Sequence, residues 1–492
     1  MRKLIFIISL ILSCASVSAQ EWNADWETSF RLSATSGGYM PFWARTGEDG
    51  TLPVRSSGLF RAGAGVEYTD AKGFFFESGA NLAGVLTQVS PLNPKPVYGF
   101  VDRLYVSGGW KMLRIDVGIK PRHGELGDLS ITGGDFMQSG NARAIPGINL
   151  SSDWIYFEKG HWVGIRGNLA HYQTIDDRYV QDAMIHNKSA AIKSSLGRKV
   201  DLMGGLHHYA QWGGTIRGSE TPQVHSFSDF LKIFFAKQGG DDASMSDQMN
   251  ALGNHLGSEW IRLVWRADAF TLNFQYDKPF EDNSGKNFQN FPDGVWTLQL
   301  SGKDRKAFLT DITYEFINTT WQSGTAHDRP ATPEEMEKQD PSDPYYGKIV
   351  IGGCDNYFTN SPYRSGWTSH GRTIGLPLIL QTAPNAEGYI YGIANNRVRG
   401  HHIGLKGMVA QKVPYRFRGT FTQNFGVYHQ SSESFFASTP WQLSLGLDAE
   451  IPTALSGLPV SFNLGLYGDI GKLYQNSVGV TVRITYGGSR NL

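Results

Sequence analysis

The sequence predicts an all-β protein: a large antiparallel transmembrane β-barrel of about 16–18 strands, wide enough to enclose an aqueous interior. Three observations predict it. Apolar and polar residues alternate with period two in segment after segment from Trp26 to Tyr486. The N-terminus carries an export signal. Beyond that signal no apolar run reaches the roughly 17–25 residues a membrane helix needs, and only helices and closed barrels satisfy their backbone hydrogen bonds inside lipid.

The export signal comes first in the chain. Arg2 and Lys3 form a positive start, residues 4–12 are almost entirely apolar, and Val17, Ser18 and Ala19 offer the small residues of a cleavage site. This order is that of a secretory signal peptide. The expected organisation is therefore a removed signal over residues 1–19, with Gln20 first in the mature chain, and a single barrel domain over 20–492. Cys14, preceded by Ile11, Leu12 and Ser13, offers lipidation as a minor alternative, although Leu12 suits that processing poorly.

Composition removes several function classes. The 45 basic and 45 acidic residues balance, so the basic excess of a nucleic-acid footprint is missing. Once the signal leaves, Cys354 is the single cysteine. That excludes an intramolecular disulfide and a cysteine-based zinc site; no metal or cofactor is expected. No Ser/Pro-rich linker divides the chain. The hydrophilic stretch 327–344 reads as a surface loop with one helical turn. The 58 glycines and 13% aromatic residues suit curved strands and the aromatic girdles of a membrane barrel.

The alternation is explicit because successive strand residues point to opposite faces. Val478, Val480, Val482, Ile484 and Tyr486 share one face, and Gly479, Thr481, Arg483 and Thr485 the other. Trp441, Leu443, Leu445, Leu447 and Ala449 alternate with Gln442, Ser444, Gly446, Asp448 and Glu450. Phe270, Leu272, Phe274 and Tyr276, then Phe60, Ala62, Ala64, Val66 and Tyr68, then Phe462, Leu464 and Leu466 repeat the rule. A soluble sandwich alternates too. Aromatics at strand ends and bulky charges on the polar faces (Arg61, Glu67, Arg262, Arg266, Arg483) favour a barrel with a wet lumen.

Two interruptions have helical composition: residues 176–193, and residues 226–237. In the second, Ser226 or Ser228 can cap the N-terminus, and Phe227, Phe230, Leu231, Phe234 and Phe235 fall on one face at helical spacing. Its polar face is short and weakly basic, so packing on the barrel mouth or in the lumen is expected over a position on the membrane surface.

Several segments, taken in order, resemble the Wzi family of outer-membrane capsule-assembly proteins in its Bacteroidota form. They are ProPheTrpAlaArgThrGlyGluAspGlyThr (41–51), AspArgLeuTyrValSerGlyGlyTrp (102–110), HisHisTyrAlaGlnTrpGlyGly (207–214), GlyAsnHisLeuGlySer (253–258), PheGluAspAsnSerGly (280–285) and PheProAspGly (291–294). The resemblance covers nearly the whole mature chain. It implies a monomeric barrel in a Gram-negative outer membrane, short helices plugging the periplasmic end, and a lectin-like role: binding and anchoring or organising capsular or other surface polysaccharide. No catalysis is implied. The family's sugar contacts do not map onto this chain residue by residue, so the glycan stays open.

Chemistry read from the residues points the same way. GluAspAsnSerGly (281–285) has the look of a calcium loop but lacks an EF-hand's spaced oxygens, and a polar turn accounts for it. His207 and His208 are adjacent, as are His401 and His402; on strands each pair points to opposite faces, which prevents shared chelation. No GxSxG or HExxH motif singles out a catalytic centre, which leaves an outer-membrane hydrolase as the weakest alternative. A diffusion channel or transport pore is the stronger one, given the polar inner faces. Glycan recognition needs aromatic faces for sugar rings and Asn, Asp, Gln or Arg for hydroxyls and carboxylates. TrpAlaArg (43–45), GlnTrpGlyGly (211–214), AsnTyrPhe (356–358) and ArgSerGlyTrp (364–367) supply that mixture. The candidate glycan contacts are Trp43, Arg45, Trp212, Arg364 and Trp367.

Overall fold

The computed structural model describes residues 22–91, 93–158, 160–237, 251–281, 285, 288–326, 329–339, 349–350 and 354–491. The expected signal peptide, most of 281–285 and part of 327–344 lie outside the described residues.

One antiparallel sheet closes on itself. Its first strands are β1 (Trp22–Thr35), β2 (Ser57–Thr69), β3 (Phe74–Thr87), β4 (Val97–Trp110) and β5 (Leu113–Ile119). β6 (Gly147–Ser152, continued by Ile155–Tyr156), β7 (Val163–Gln173), β8 (Met184–Leu196), β9 (Val200–Trp212) and β10 (Asn254–Arg266) follow. Then come β11 (Phe270–Phe280), β12 (Gly294–Gly302), β13 (Asp311–Asn318) and β14 (Val398–Val409). β15 (Val413–Asn424), β16 (Trp441–Ile451), β17 (Ser461–Gly471) and β18 (Ser477–Asn491) complete the wall. Each strand pairs with its neighbours in sequence, and β1 pairs with β18 from Asn23↔Asn491 to Thr35↔Gly479 to make an 18-strand barrel among the described residues.

The period-two faces fall as the sequence predicts. On β18, Val478, Val480, Val482, Ile484 and Tyr486 are exposed outside, while Thr481 is buried inside. On β16, Trp441 and Leu447 face out and Gln442, Ser444 and Asp448 face in, buried. The exposed Leu82, Val101, Leu150, Ile192, Ile261, Leu298 and Leu466 continue the outer belt. An apolar exterior of this kind is stable only against lipid.

Residues 184–193 depart from the helical expectation over 176–193: they belong to β8. Met184–Leu196 is paired along its length with β7 on one side and β9 on the other. Two complete ladders satisfy its backbone and override a helix propensity worth at most tenths of a kcal/mol per residue, about 0.7 for ordinary residues.

The connections divide by end. Asn23 and Asn491 and short turns such as 111–112, 197–199, 267–269 and 410–412 lie at one end. The described parts of the long connections 36–56, 120–146, 213–253 and 319–397 start and finish at the other. In outer-membrane barrels short turns face the periplasm and long loops face outward, so we refer to the long-loop end as the outward end. The short helices α1 (Phe42–Arg45), α2 (Phe227–Phe234) and α3 (Pro333–Met336) belong to long connections; α4 (Thr453–Ser456) lies in a short-turn-end connection. By strand parity the first three helices lie at the long-loop end and α4 at the short-turn end; the resemblance implies helices at the periplasmic end.

α2 has the expected N-cap. Ser226 Oγ accepts from Asp229 N–H at 3.2 Å, and Asp229 Oδ2 accepts from Ser226 N–H at 2.9 Å, a reciprocal capping box. Its location differs from the expected mouth or lumen. Leu202 and Leu206 mark the outer face of β9, and Ala210 and Trp212 share that parity. Those two residues pack with Ile233 and Phe230 of α2. His171 of β7 and His186 of β8 meet Phe230 edge-on, with ring centroids 5.9 and 5.4 Å apart. α2 therefore lies against the outside of the wall, with Phe227 75% and Phe235 61% exposed.

Candidate functional site

The lumen is filled by the chain itself. α1 and its neighbours, the segment 126–142 and the segment 354–398 fold inward and share one apolar core. Trp43, Phe136, Met137, Tyr357, Phe358, Trp367, Leu376 and Ile379 pack there against Ile185, Tyr209, Leu256 and Val398 of the wall. The polar inner face of the wall holds these segments by hydrogen bonds. Asp469 accepts from Phe42 N–H at 2.9 Å, Glu315 from Ile131 N–H at 2.7 Å, and Asp277 from Phe136 N–H at 2.6 Å. The alternation that gives a membrane barrel its polar lumen thus serves to anchor a plug.

The five candidate residues separate on this frame. Trp43 is 2% exposed; its indole N–H donates to Thr420 at 3.1 Å and its ring lies beneath Arg418. Trp367 is 1% exposed and sits at the centre of the plug. Trp212 is 5% exposed and covered by α2 on the outer wall. All three are packing residues with no ring face open to solvent. Arg45 is half-buried, its guanidinium 5.7 Å from the Tyr474 ring. Arg364 is exposed at the outward end.

Around Arg364 the outward loops converge. Its guanidinium donates to the Tyr391 hydroxyl and lies 5.4 and 5.6 Å from the rings of Tyr391 and Tyr179. Arg217 covers Tyr389 at 4.7 Å and pairs with Asp177. Three connections supply these residues: 174–183, 213–253 and 319–397. They are tied together by Tyr179 N–H donating to Ser365 at 2.8 Å, Ser365 Oγ donating to Ile390 carbonyl at 2.8 Å, and Tyr363 hydroxyl donating to Gly213 carbonyl at 3.2 Å.

Beside this cluster opens a cleft of about 360 Å³ lined by residues including Asn93, Lys95, Tyr98, Arg143, Asp177, His370 and Tyr389. Asn93 donates to the Tyr98 hydroxyl at 3.1 Å. Arg143 lies over Phe100 at 3.6 Å, and its Nε is buried without a hydrogen-bond partner. Burial pushes the Arg143 guanidinium below its ordinary value. His370 is likewise lowered by burial, which outweighs the attraction of Asp176, to about 4; it is neutral near pH 7. Asp176 is used structurally, by Arg178 at 2.9 Å and His370 N–H at 2.9 Å. What the cleft offers a ligand is tyrosine edges and faces, amide and hydroxyl groups, and the cations Lys95 and Arg143, with Arg364 in the cluster beside it.

The sequence reading missed Tyr179, Tyr389, Tyr391, Arg217 and Arg143. The available signal was the TyrIleTyr triplet at 389–391, whose alternate residues share a face if extended; nothing in one sequence brings it to Arg364 and Arg217.

Fold and site together define a transmembrane barrel closed by its own long loops, with an aromatic and cationic cleft at the outward end. A solved protein of Escherichia coli has this fold: Wzi, described as an outer-membrane protein involved in group 1 capsule assembly and a carbohydrate-binding β-barrel. It matches with TM-score 0.54 and 15% identity over 97% of this chain and 86% of that one. Similarity at that identity establishes the fold alone. Two Pseudomonas aeruginosa barrels, OccK5 (OpdH) and OprD, align at 8% and 9% identity over 96% of this chain and 98% and 97% of theirs, each with TM-score 0.45, too low to bear on function. No protein-family model matches the chain, and no curated protein matches it by sequence.

Proposed function

We propose that this protein is an outer-membrane, non-catalytic, lectin-like barrel that holds capsular or other surface polysaccharide at its outward cleft. The single observation that carries the reading is the exposed Arg364–Tyr391–Tyr179 cluster beside a cleft of about 360 Å³. Tyrosine faces cover the apolar faces of sugar rings, and arginine forks grip hydroxyls and carboxylates. The serial resemblance to capsule-assembly proteins and the shared fold with a carbohydrate-binding barrel support it.

The pore reading has less support. The core that joins Trp43, Phe136, Trp367 and Ile379 to the wall crosses the lumen near its outward end, where a conducting barrel keeps water. The test is retention of isolated capsule by purified, detergent-folded protein, with R364A/Y391A as the comparison. Binding by the wild type and loss in the variant support the reading. Equal capsule attachment on cells with and without the protein would overturn it.

A further inference from the structure

Below the plug, on its short-turn side, the lumen holds a second polar chamber of about 350 Å³. That volume is within the range of small-molecule sites, about 300–1,000 Å³. Of the wall residues that line it, Asp116 of β5, Arg166 of β7 and Arg262 of β10 come from the middle of their strands or the half nearer the short turns, and Asn187 of β8 and Tyr209 of β9 from the half nearer the plug. The plug segment carrying Gly134, Asp135 and Gln138 bounds it on the outward side.

Its charges do not cancel locally. Lys120, Arg122, Arg166 and Arg262 face Asp116, Glu125 and Asp135. Glu125 is shared by Arg166 and Arg262. Lys120 is held by Asp116 at 3.2 Å and Glu77 at 3.1 Å. Asp135 accepts from the backbone N–H groups of Met137 and Gln138 at 2.8 and 3.2 Å. Arg122 is left with the face of Tyr172, 4.9 Å away, and with no carboxylate partner among the described residues. Asp116 attracts it only from beyond salt-bridge distance, so the guanidinium has given up hydration for no contact of equal strength, and burial outweighs that attraction and holds it below its ordinary value.

On the stretch of wall that carries Tyr172 stands a row of amides on three adjacent strands. Asn168 donates to Asn149 at 3.1 Å and to Asn187 at 2.5 Å. Asn149 donates onward to Asp116 at 3.3 Å and Asn187 to the His208 carbonyl at 3.1 Å. Each carboxamide has two N–H donors, so Asn149 and Asn187 each keep one in reserve. Trp260, whose indole N–H is buried without a partner, completes the lining.

We propose that this chamber is a binding site for a small hydroxyl-rich carboxylate, the size of one acidic sugar, whose carboxylate is taken by Arg122 and whose hydroxyls are taken by the spare N–H groups of Asn149 and Asn187. The site is separate from the outward cleft and does not depend on it. A bidentate carboxylate supplies the anion that Arg122 lacks. The amide row accepts and donates without net charge, which suits hydroxyls.

The test is calorimetric titration of the detergent-folded full chain carrying R364A/Y391A, so that the outward cleft is disabled, with D-glucuronate, D-glucose and inorganic phosphate as probes. Glucuronate is expected to bind, glucose about tenfold or more weaker, and R122Q to lose about tenfold or more of the glucuronate affinity, the effect of removing one charge-assisted bond. Heat-modifiable migration on gels checks that R122Q is folded. If it is not, R122K keeps the charge, loses the fork, and is expected to bind glucuronate more weakly than wild type. Phosphate binding as tightly as glucuronate, glucose binding equally well, or unchanged affinity in both Arg122 variants would overturn the proposal.

Discussion

The indole N–H of Trp367 donates to the main-chain carbonyl of Met137 at 2.7 Å, across 230 positions of sequence. It joins the two largest pieces of the plug together with Ser139 N–H donating to the Ile374 carbonyl at 2.9 Å, Leu376 N–H to the Phe136 carbonyl at 3.0 Å and the Asn141 amide to the Thr373 carbonyl at 2.9 Å. Trp367 comes from the connection between β13 and β14, and Met137 from the connection between β5 and β6. Around it the Tyr209 ring of the wall lies 5.2 Å from Trp367. W367F keeps most of the ring and removes the bond, and is expected to cost about 1 kcal/mol. W367A also leaves a cavity and is expected to cost about 3–5 kcal/mol. Urea midpoints of the folded barrel measure both. Planar-bilayer recordings give a second readout: wild type silent, W367A showing transient openings as the plug loosens.

Glu315 is the wall's counterpart to that bond. Fully buried on β13, its carboxylate accepts from Ser130 Oγ at 2.6 Å, Ile131 N–H at 2.7 Å and Thr297 Oγ1 at 3.0 Å. E315A strands these donors in the interior, at about 1–3 kcal/mol for each left unsatisfied. E315Q keeps an acceptor and the shape and is expected to recover much of the loss. The expected sign is faster proteolytic cutting within 120–146 for E315A than for E315Q, with wild type slowest. Equal rates would show that the segment is held by apolar packing alone.

Acid should release the first inward loop, and only at low pH. Burial by itself would raise the Glu48 carboxyl. Arg31 at 2.8 Å, with Arg416, Arg483 and Arg418, outweighs burial and lowers it to about 2 from its ordinary 4.5. A carboxyl lowered on folding contributes stability that is complete above the unfolded value and is lost as pH falls through the folded one. The window is therefore about 4.5 down to about 2, and the contribution is on the order of 3 kcal/mol. Amide hydrogen exchange in 36–56, corrected for intrinsic rate, should be flat from pH 7 to 5 and rise below 4.5. E48Q should remove the rise and start from a faster baseline.

The wall was legible in the sequence because strand period and lipid exposure leave a mark at every second residue. Val478 to Tyr486 could be assigned to a face from identity alone. The filling was not. Trp43 and Trp367 sit among glycines and arginines, a composition equally suited to an exposed glycan contact and to a plug. What buries them is contact with segments hundreds of positions away, such as Trp43 with Thr420 and Trp367 with Met137. Arg364 stands exposed at the outward end, while the tyrosines packed around it arrive by loop convergence. The helical reading of 184–193 failed for the same reason: Lys188, Ala190 and Ala191 favour helix weakly, and two flanking ladders decide against it.

α2 gives the last prediction, because its position on the outer wall sets a depth in the membrane. Its apolar side is divided. Phe230 and Ile233 turn to Trp212, His171 and His186, whereas Phe227, Leu231 and Phe235 stay exposed. The wall beneath changes character at this level: Leu206 is the last open apolar residue on the outer face of β9, and His208, Ala210 and Trp212 beyond it are covered. An amphipathic helix at the top of an apolar belt belongs at the headgroup boundary, where one face is wet and the other touches acyl chains. Charges placed on the lipid face of a barrel cost about 2–4 kcal/mol at the midplane and about 0–1 near the interface. L206R, deeper in the belt, should therefore destabilise the barrel in lipid vesicles by more than F227R, which should cost about 0–1 kcal/mol. Unfolding free energies in vesicles compare the two directly. A cost for F227R equal to that of L206R would put α2 within the hydrocarbon. In a C354S background, a spin label at position 227 should favour oxygen over an aqueous nickel relaxant, and one at position 228 should show the reverse; matching aqueous accessibility at both would place the whole helix in solvent.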